Sequence, residues 1–523
     1  MTGRILIVVA TACLAAASPA SASQVLLVRG NHVVPRDDPA LPGLEAELPH
    51  APPASCDKPA RAPVDAPPAV SAGGPSVRAV LLRDYRKGVL QQPLYQYYRS
   101  TFDQAVKTVK RLHGVRRANL HGVLLSLERI AQGNLLTVAR MPALFFQLKH
   151  NLEFWPSKPL PRIPPPTPSP CRYAPAKKSA AHVAGYVTPV RYVFDDSPII
   201  FEYYPGNGLQ IQPLANFGKA NALANACKGL YGPKVKCHLD QFKALLDALV
   251  SVSSQRAGFT TWEYWFPFGG GRPPWTSGLS QGTAIQALVS GAQLLSDPHY
   301  LDVARSAIGA FQTSTPQGVR TSAFGGTWYA QYSFSPHLLI LNGFLQALNG
   351  IFDFAQAAQD SGAQQLFAEG AATAKRAIPS YDTGAWSLYS FHGRESDLGY
   401  HRVVRDFLKG LCQRTNDPDF CGAATRFTDY LKQHPLLSFL GAAGSRHAKH
   451  VLALRFTLSK ASCVGIQVKR GGRVVFGNRL QMPYGVHGFA WVPRAPGKYT
   501  VHLLAIDYLN HQTPASGTVT IRR

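Results

Sequence analysis

Carboxylates are scarce in this chain. Its 523 residues carry 29 Asp and Glu against 54 Lys and Arg, for a formal net charge of +25 and a pI near 9.8. A glycosidase of the two-carboxyl type needs a pair of acids flanking one bond. In the aromatic loops discussed below the candidates are Glu263, Glu395 and Asp397, and the pairing of Glu263 with Asp397 stays open without being singled out. Other signatures are missing outright. There is no G-x-S-x-G elbow, no HExxH, no P-loop and no Rossmann fingerprint. The glycine run at 269–271 lacks the lysine and helix start of a phosphate loop and reads as a turn. The cysteine spacings match no zinc site and no His pair accompanies them, so no metal site is expected. Past the N-terminus no stretch reaches about 18 uninterrupted apolar residues, so no membrane-inserted segment is expected.

The N-terminus has its own logic. Arg4 precedes an apolar run from Ile5 to Ala17, and Ala20-Ser21-Ala22 forms a small-residue cleavage site. That pattern reads as a signal peptide over residues 1–22 and predicts a secreted or cell-envelope-associated protein. Export permits disulfides. Of eight cysteines, Cys13 lies in the signal, which leaves an odd seven. Cys227 with Cys237, and Cys412 with Cys421, are spaced to close two local loops. With no nucleic-acid recognition motif, the positive charge of an exported protein points to an acidic glycan as partner. Biased arginine usage on a solvated surface gives the same count. The oligomeric state is not legible.

The chain divides by composition. Residues 23–75 are rich in Pro and Ala and read as a disordered tether. Residues 76–155 carry apolar positions at spacings of three and four, a helical N-terminal region. A Pro-rich linker over 156–185 follows. Residues 186–215 alternate, with turn signals at Asp195–Pro198 and Pro205–Gly208, and read as a small antiparallel sheet. From 216 to 440 helices come in pairs: Gly282–Leu295 with His299–Phe311, Pro336–Ala358 with Ala363–Ala377, Arg402–Arg414 with Asp419–Gln433. The pairs recur at roughly 55–65 residues, longer than ordinary solenoid repeats. Aromatic, glycine-rich loops join them. The expected architecture is mainly α with β: an incomplete α/α toroid carrying the site at its loop end. Residues 446–523 alternate, with a Gly471-Gly472 turn, and read as an immunoglobulin-like β-sandwich.

Two aromatic loops draw attention. WYAQYSFSPHLLILNGFLQALNGIFDF spans 328–354, and GAWSLYSFHGRESDLGYHRVVRDFLKGL spans 384–411. Aromatic faces stack on sugars, and a tyrosine hydroxyl transfers protons when burial or cations tune it. An aromatic cluster beside a helix serves core packing more often than chemistry.

These segments resemble the C-terminal domain of the D-glucuronyl C5-epimerase family. Members show a Trp-Tyr-Glu-Glu-Tyr-Pro loop, then a Val/Ile-Leu-Asn-Gly-Phe helix ending in Tyr-Asp or Phe-Asp. This chain has Trp328-Tyr329-Ala330-Gln331-Tyr332-Ser333, then Ile340-Leu341-Asn342-Gly343-Phe344 and Phe352-Asp353. A Trp-Ser-x-Tyr loop follows as Trp386-Ser387-Leu388-Tyr389, and a Tyr-His pair as Tyr400-His401. The resemblance implies epimerisation of uronic acid residues in a heparosan-like polysaccharide, with no cofactor. It assigns proton exchange to the positions of Gln331, Tyr332 and Tyr400. It implies sugar contacts from Trp328, Tyr329, Tyr389, His392 and His401, and cations from Arg394, Arg402 or Arg272. Two positions depart from the family. Gln331 stands where a glutamate is expected, and Val404 where a second histidine is expected. A polyuronate lyase or glycoside hydrolase on a similar toroid, and a non-catalytic glycan-binding protein, are the competing expectations.

Overall fold

The computed structural model describes residues 24–30, 32–38, 73–162, 171 and 190–523. The signal segment, most of the tether and most of the Pro-rich linker lie outside the described residues.

Strands β1 (Gln24–Arg29) and β2 (His32–Asp37) form an antiparallel hairpin. Four helices follow: α1 (Val77–Arg86), α2 (Gln92–Arg111), α3 (Gly114–Gln132) and α4 (Met141–Ser157). Then come β3 (Arg191–Phe194), β4 (Ile200–Tyr204) and β5 (Gly208–Ile211). The strands make one five-stranded sheet in the order β2-β1-β3-β4-β5. Two expectations are corrected here. Residues 24–37 belong to this sheet and not to a tether. The sheet is also mixed, because β1 pairs parallel with β3. The Pro/Ala-rich composition of the whole 23–75 stretch masked a short apolar hairpin whose Val25 and Val28 are buried.

Helices α3 and α4 cover β5 and complete its hydrogen bonding with side chains. Asn151 accepts from Leu209 N (2.8 Å) and donates to Leu209 O (2.7 Å). Gln147 Oε1 accepts from Ile211 N, and Asn119 Oδ1 accepts from Gly206 N and Gly208 N. Buried backbone groups at a strand with no further neighbour must find such partners.

The central region alternates helices with short hairpins. It runs α5 (Pro213–Cys227), α6 (Leu239–Ser251), β6 (Ser254–Arg256), β7 (Phe259–Thr261), α7 (Gly278–Leu295), α8 (His299–Ala307) and α9 (Gly309–Gln312). It continues with β8 (Arg320–Ala323), β9 (Gly326–Tyr329), α10 (Leu341–Ala358), α11 (Ser361–Ala377), α12 (Leu398–Thr415) and α13 (Pro418–Tyr430). Helix α7 packs between α5 and α10, and α10 packs between α7 and α12. Helices α6, α8, α11 and α13 each pack on a member of that row. The row is buried almost all round. Its closest approach uses glycine: a Cβ added at Gly350 would lie 2.2 Å from the carbonyl oxygen of Gly282.

The C-terminal region is two facing sheets. Strands β10 (Leu437–Gly444), β11 (Leu452–Leu458) and β14 (Gly485–Trp491) form one. Strands β12 (Ser462–Arg470), β13 (Arg473–Met482), β15 (Gly497–Asp507) and β16 (Gln512–Ile521) form the other, in the order β13-β12-β15-β16. Alternate residues such as Leu454, Phe456, Val464, Ile466, Val501 and Leu503 fill the space between. The Lys460–Asp507 ion pair (2.9 Å) is buried, and Lys460 also donates to the Tyr430 carbonyl at the end of α13.

Both local disulfides are present, Cys227–Cys237 and Cys412–Cys421. A third, Cys171–Cys463, joins the Pro-rich linker to β12 across 292 residues of sequence. No spacing argument finds a bridge that long. Cys56 lies outside the described residues. Among the described residues no helix is long and apolar enough to cross a membrane.

Candidate active site

The hairpin β8–β9 turns at Phe324 and Gly325, both with positive φ, and leads into the segment 330–333. That segment is pinned by backbone bonds: Gly278 N donates to Ala330 O, and Ser333 N to Thr276 O. Gln331 and Tyr332 are thereby fixed against the start of α10, where Gly343 leaves room for the Gln331 side chain. The second aromatic loop folds on itself, with Tyr389 N donating to Arg394 O (2.9 Å). It then docks on the first: Phe391 N donates to Leu339 O, and Ile340 bridges to Ser390. Asp397 caps α12 by accepting from Tyr400 N (2.9 Å), which sets Tyr400 in the first turn.

The result is one buried aromatic cluster, distinct from the main core, that holds Tyr332, Tyr389 and Tyr400 with Tyr264, Phe266, Trp275 and Ile340. The Tyr389 and Tyr400 rings meet edge to face at 4.7 Å. Tyr332 packs on Phe268, Trp275 and Phe334 at 5.5–5.8 Å. Gln331 donates its amide N–H to the Tyr332 hydroxyl at 3.1 Å.

Several polar atoms here lack an intramolecular partner. They are Gln331 Oε1, both amide atoms of Asn342 and the Tyr389 hydroxyl, all buried. Buried polar atoms are nearly always paired, so these atoms are open to a water or a ligand group. Burial holds the Tyr332 phenol well above its ordinary range, with the neighbouring Tyr389 adding to the rise and the Gln331 amide opposing it. Burial also raises Tyr389, while its phenolic neighbours Tyr332 and Tyr400 and the Arg394 cation pull it back. The Tyr389 hydroxyl lies within electrostatic reach of both phenols without hydrogen-bond geometry to either.

Other candidates sit elsewhere. Trp328 and Tyr329 were expected on the sugar-facing wall and are core side chains instead. Trp328 stacks on Phe344 at 3.9 Å, and the Tyr329 hydroxyl donates to Leu366 O in α11 at 2.8 Å. His401 is also structural. It stacks on Trp386 at 3.7 Å and donates Nε2–H to Phe427 O, leaving Nδ1 to accept from Ser387. Burial lowers its pKa to about 4, so it is neutral. Val404 is core. His392, Arg394 and Arg402 are exposed, and of these Arg394 acts on Tyr389 electrostatically. Arg272 lines a separate cavity on the far side of Trp275 and Phe334.

The three carboxylates are all engaged. Glu263 is fully buried and accepts from Arg140, Arg256 and Ser254. Glu395 accepts from Ala461 N and Tyr484 N of the C-terminal sheets, and Asp397 is a helix cap. A Glu263–Asp397 acid pair therefore has no free partner on either side. Sequence reasoning missed Trp275, Phe268, Phe334 and Asn342. The signals were there: Asn342 lies in the Leu-Asn-Gly element, and the three rings lie in the aromatic loops that join the helix pairs.

Residues 257–429 match the profile described as D-glucuronyl C5-epimerase C-terminus. A D-glucuronyl C5-epimerase of Caenorhabditis elegans is 31% identical over 178 residues, which is 30% of this chain and 29% of that protein. An uncharacterised protein of Methanocaldococcus jannaschii is 27% identical over 173 residues, 32% of this chain and 56% of its own. The match thus spans less than two thirds of either relative. Among solved structures, the cellobiose 2-epimerase of Bacillus thermoamylovorans is 14% identical over 45% of this chain and 63% of its own. Its TM-score of 0.32 carries no argument.

Proposed function

We propose that this chain, whose residues 257–429 match the D-glucuronyl C5-epimerase C-terminus, inverts C5 of uronic acid residues within an acidic polysaccharide. The observation that carries the reading is the buried Tyr332–Tyr389–Tyr400 cluster, beside amide atoms with no partner of their own. In this reading the helix row and its flanking helices are an incomplete α/α toroid, and the C-terminal sheets an immunoglobulin-like module. Export is supported by the N-terminal signal pattern and by the disulfides at Cys171, Cys227 and Cys412.

The C5–H bond lies α to the uronate carboxylate. Its electron pair moves toward that carboxylate as a base takes the proton, and a conjugate acid returns a proton to the opposite face. Neutralising the carboxylate lowers the barrier. Arg394 is the cation beside the cluster. Tyr332 and Tyr400 serve as the base and conjugate acid, and the Gln331 amide, donating to the Tyr332 oxygen, offsets part of the rise that burial imposes on that phenol. Solvent resets both between turnovers. Asn342 and Gln331 supply free donors and acceptors to hold the sugar.

A second reading, a non-catalytic glycan-binding protein, draws on glutamine at 331 in place of the family's glutamate. Incubation with heparosan in deuterated water separates the possibilities. Deuterium at C5 without cleavage supports the epimerase. An unsaturated product means a lyase, shortening without unsaturation a hydrolase, and binding without exchange the binding protein.

A further inference from the structure

A cavity of about 750 Å³ opens beside the tyrosine cluster, within the range of ligand clefts, about 300–1,000 Å³. Its walls come from two parts of the chain. The end of α3 and the start of α4 contribute Arg129, Gln132 and Arg140, and these helices lie outside residues 257–429. The loop 267–275 and the segment 333–334 contribute most of the remainder, with Arg256, Pro316 and Gln317.

The charge of the cavity is one-sided. Four arginines line it and no carboxylate does. Arg140 and Arg256 share the single buried Glu263 behind the wall, so that group keeps a net positive charge. Arg129 and Arg272 are exposed at the rim, and among the described residues neither has a carboxylate within salt-bridge distance. The other wall is aromatic. Phe268, Trp275 and Phe334 face the cavity and are also the rings that pack on Tyr332. Gly271 is required there, since a Cβ would lie 2.4 Å from the Phe334 ring. Gly269 and Gly270 both have positive φ, and they leave the loop without side chains at the cavity.

We infer that this cavity is a second binding subsite for an anionic oligosaccharide. Sugar residues outside the reacting one stack on Phe268 and Phe334, and their carboxylates or sulfates are held by Arg129 and Arg272. The shared aromatic wall sets the subsite directly beside Tyr332. A positive, low-dielectric cleft concentrates such a ligand. The inference rests on the reading of the tyrosine cluster as a site for a uronate polymer. It adds a length requirement: short chains fill one site, long chains both.

The test uses full-length protein and heparosan tetrasaccharide and decasaccharide, with affinity measured by calorimetry and deuterium incorporation measured in parallel. Reversing both rim charges, Arg129→Glu with Arg272→Glu, should weaken the decasaccharide about tenfold or more, given the modest worth of each exposed ion pair, and the tetrasaccharide little. Arg129→Lys with Arg272→Lys should retain most of the binding, and both pairs are exposed enough to leave the melting temperature unchanged. Equal weakening of both lengths, or of neither, overturns the subsite. A length-dependent loss with no deuterium exchange in the wild type keeps the subsite and refutes the epimerase reading. Exchange without a length-dependent loss does the reverse. No binding of either oligosaccharide to the wild type overturns both.

Discussion

Replacing Tyr332 by Phe removes one oxygen and leaves the ring on Phe268, Trp275 and Phe334. The lost oxygen accepts the Gln331 amide at 3.1 Å. Leaving that buried amide without its partner costs stability of about 1–3 kcal/mol. If Tyr332 moves the C5 proton, the rate falls about a hundredfold to ten-thousandfold, or about 3–5 kcal/mol in the barrier. The two effects are separated by Tyr329→Phe. That change strips the hydroxyl from a buried tyrosine bound to Leu366 O and costs similar stability, but it lies in the core, so exchange should be unchanged. Deuterium incorporation at C5, followed by NMR at matched fractions of folded protein, is the assay. Exchange by Tyr332→Phe within about threefold of wild type, where general acid–base catalysis predicts far more, would refute the proton-transfer role. So would an equal loss in Tyr329→Phe, because stability and not chemistry would then be the cause.

Glu395 is pushed up to about 7 by burial, against its backbone partners Tyr484 and Ala461. A raised carboxyl stabilises the fold fully below its unfolded pKa and loses that contribution as pH rises through the folded value, so stability should fall by up to about 3 kcal/mol between pH 4.5 and 7. Denaturant titrations across that window should show the slope, and Glu395→Gln should flatten it while lowering stability throughout. Gly350→Ala should destabilise by about 1–3 kcal/mol or more through overpacking, since the new Cβ meets the Gly282 carbonyl at 2.2 Å; an unchanged melting curve would contradict the helix contact. Non-reducing peptide mapping should recover a cross-link between Cys171 and Cys463. Cys171→Ser should cost about 2–5 kcal/mol, as loss of a bridge closing a long loop does.

What was legible in the sequence was local. The pairing of Cys227 with Cys237 needed only proximity, and the row of helices announced itself by period. The three tyrosines Tyr332, Tyr389 and Tyr400 were found by their motifs, and the structure brings them together. Direction was not legible. Trp328 and Tyr329 are adjacent in β9 and point to opposite faces, yet both are buried, because Phe344 covers one and α11 the other. A strand covered on both sides reads in sequence like a loop rich in aromatics. His401 sits beside Tyr400 in its motif, but a helical step of one residue turns it into the core. Arg272 looked like a cation for the reacting carboxylate until the fold put Trp275 and Phe334 between them. Asn119, Gln147 and Asn151, which no sequence motif marks, are the hydrogen-bonding partners of β5 and the turn before it.

Those amides have a consequence for how the protein behaves in company. An open sheet normally exposes two rows of unpaired backbone groups, each a template on which another chain can add a strand. Here both rows are interrupted. At β5 the template is already read by Asn151 and Gln147. At β2 the outermost strand carries Pro35, which has no N–H to give, followed by the charged Arg36. The five-stranded sheet is thus guarded against self-propagation at both margins by ordinary side chains. An Asn151→Leu change, which leaves the Leu209 amide without its acceptor, would reopen one of them.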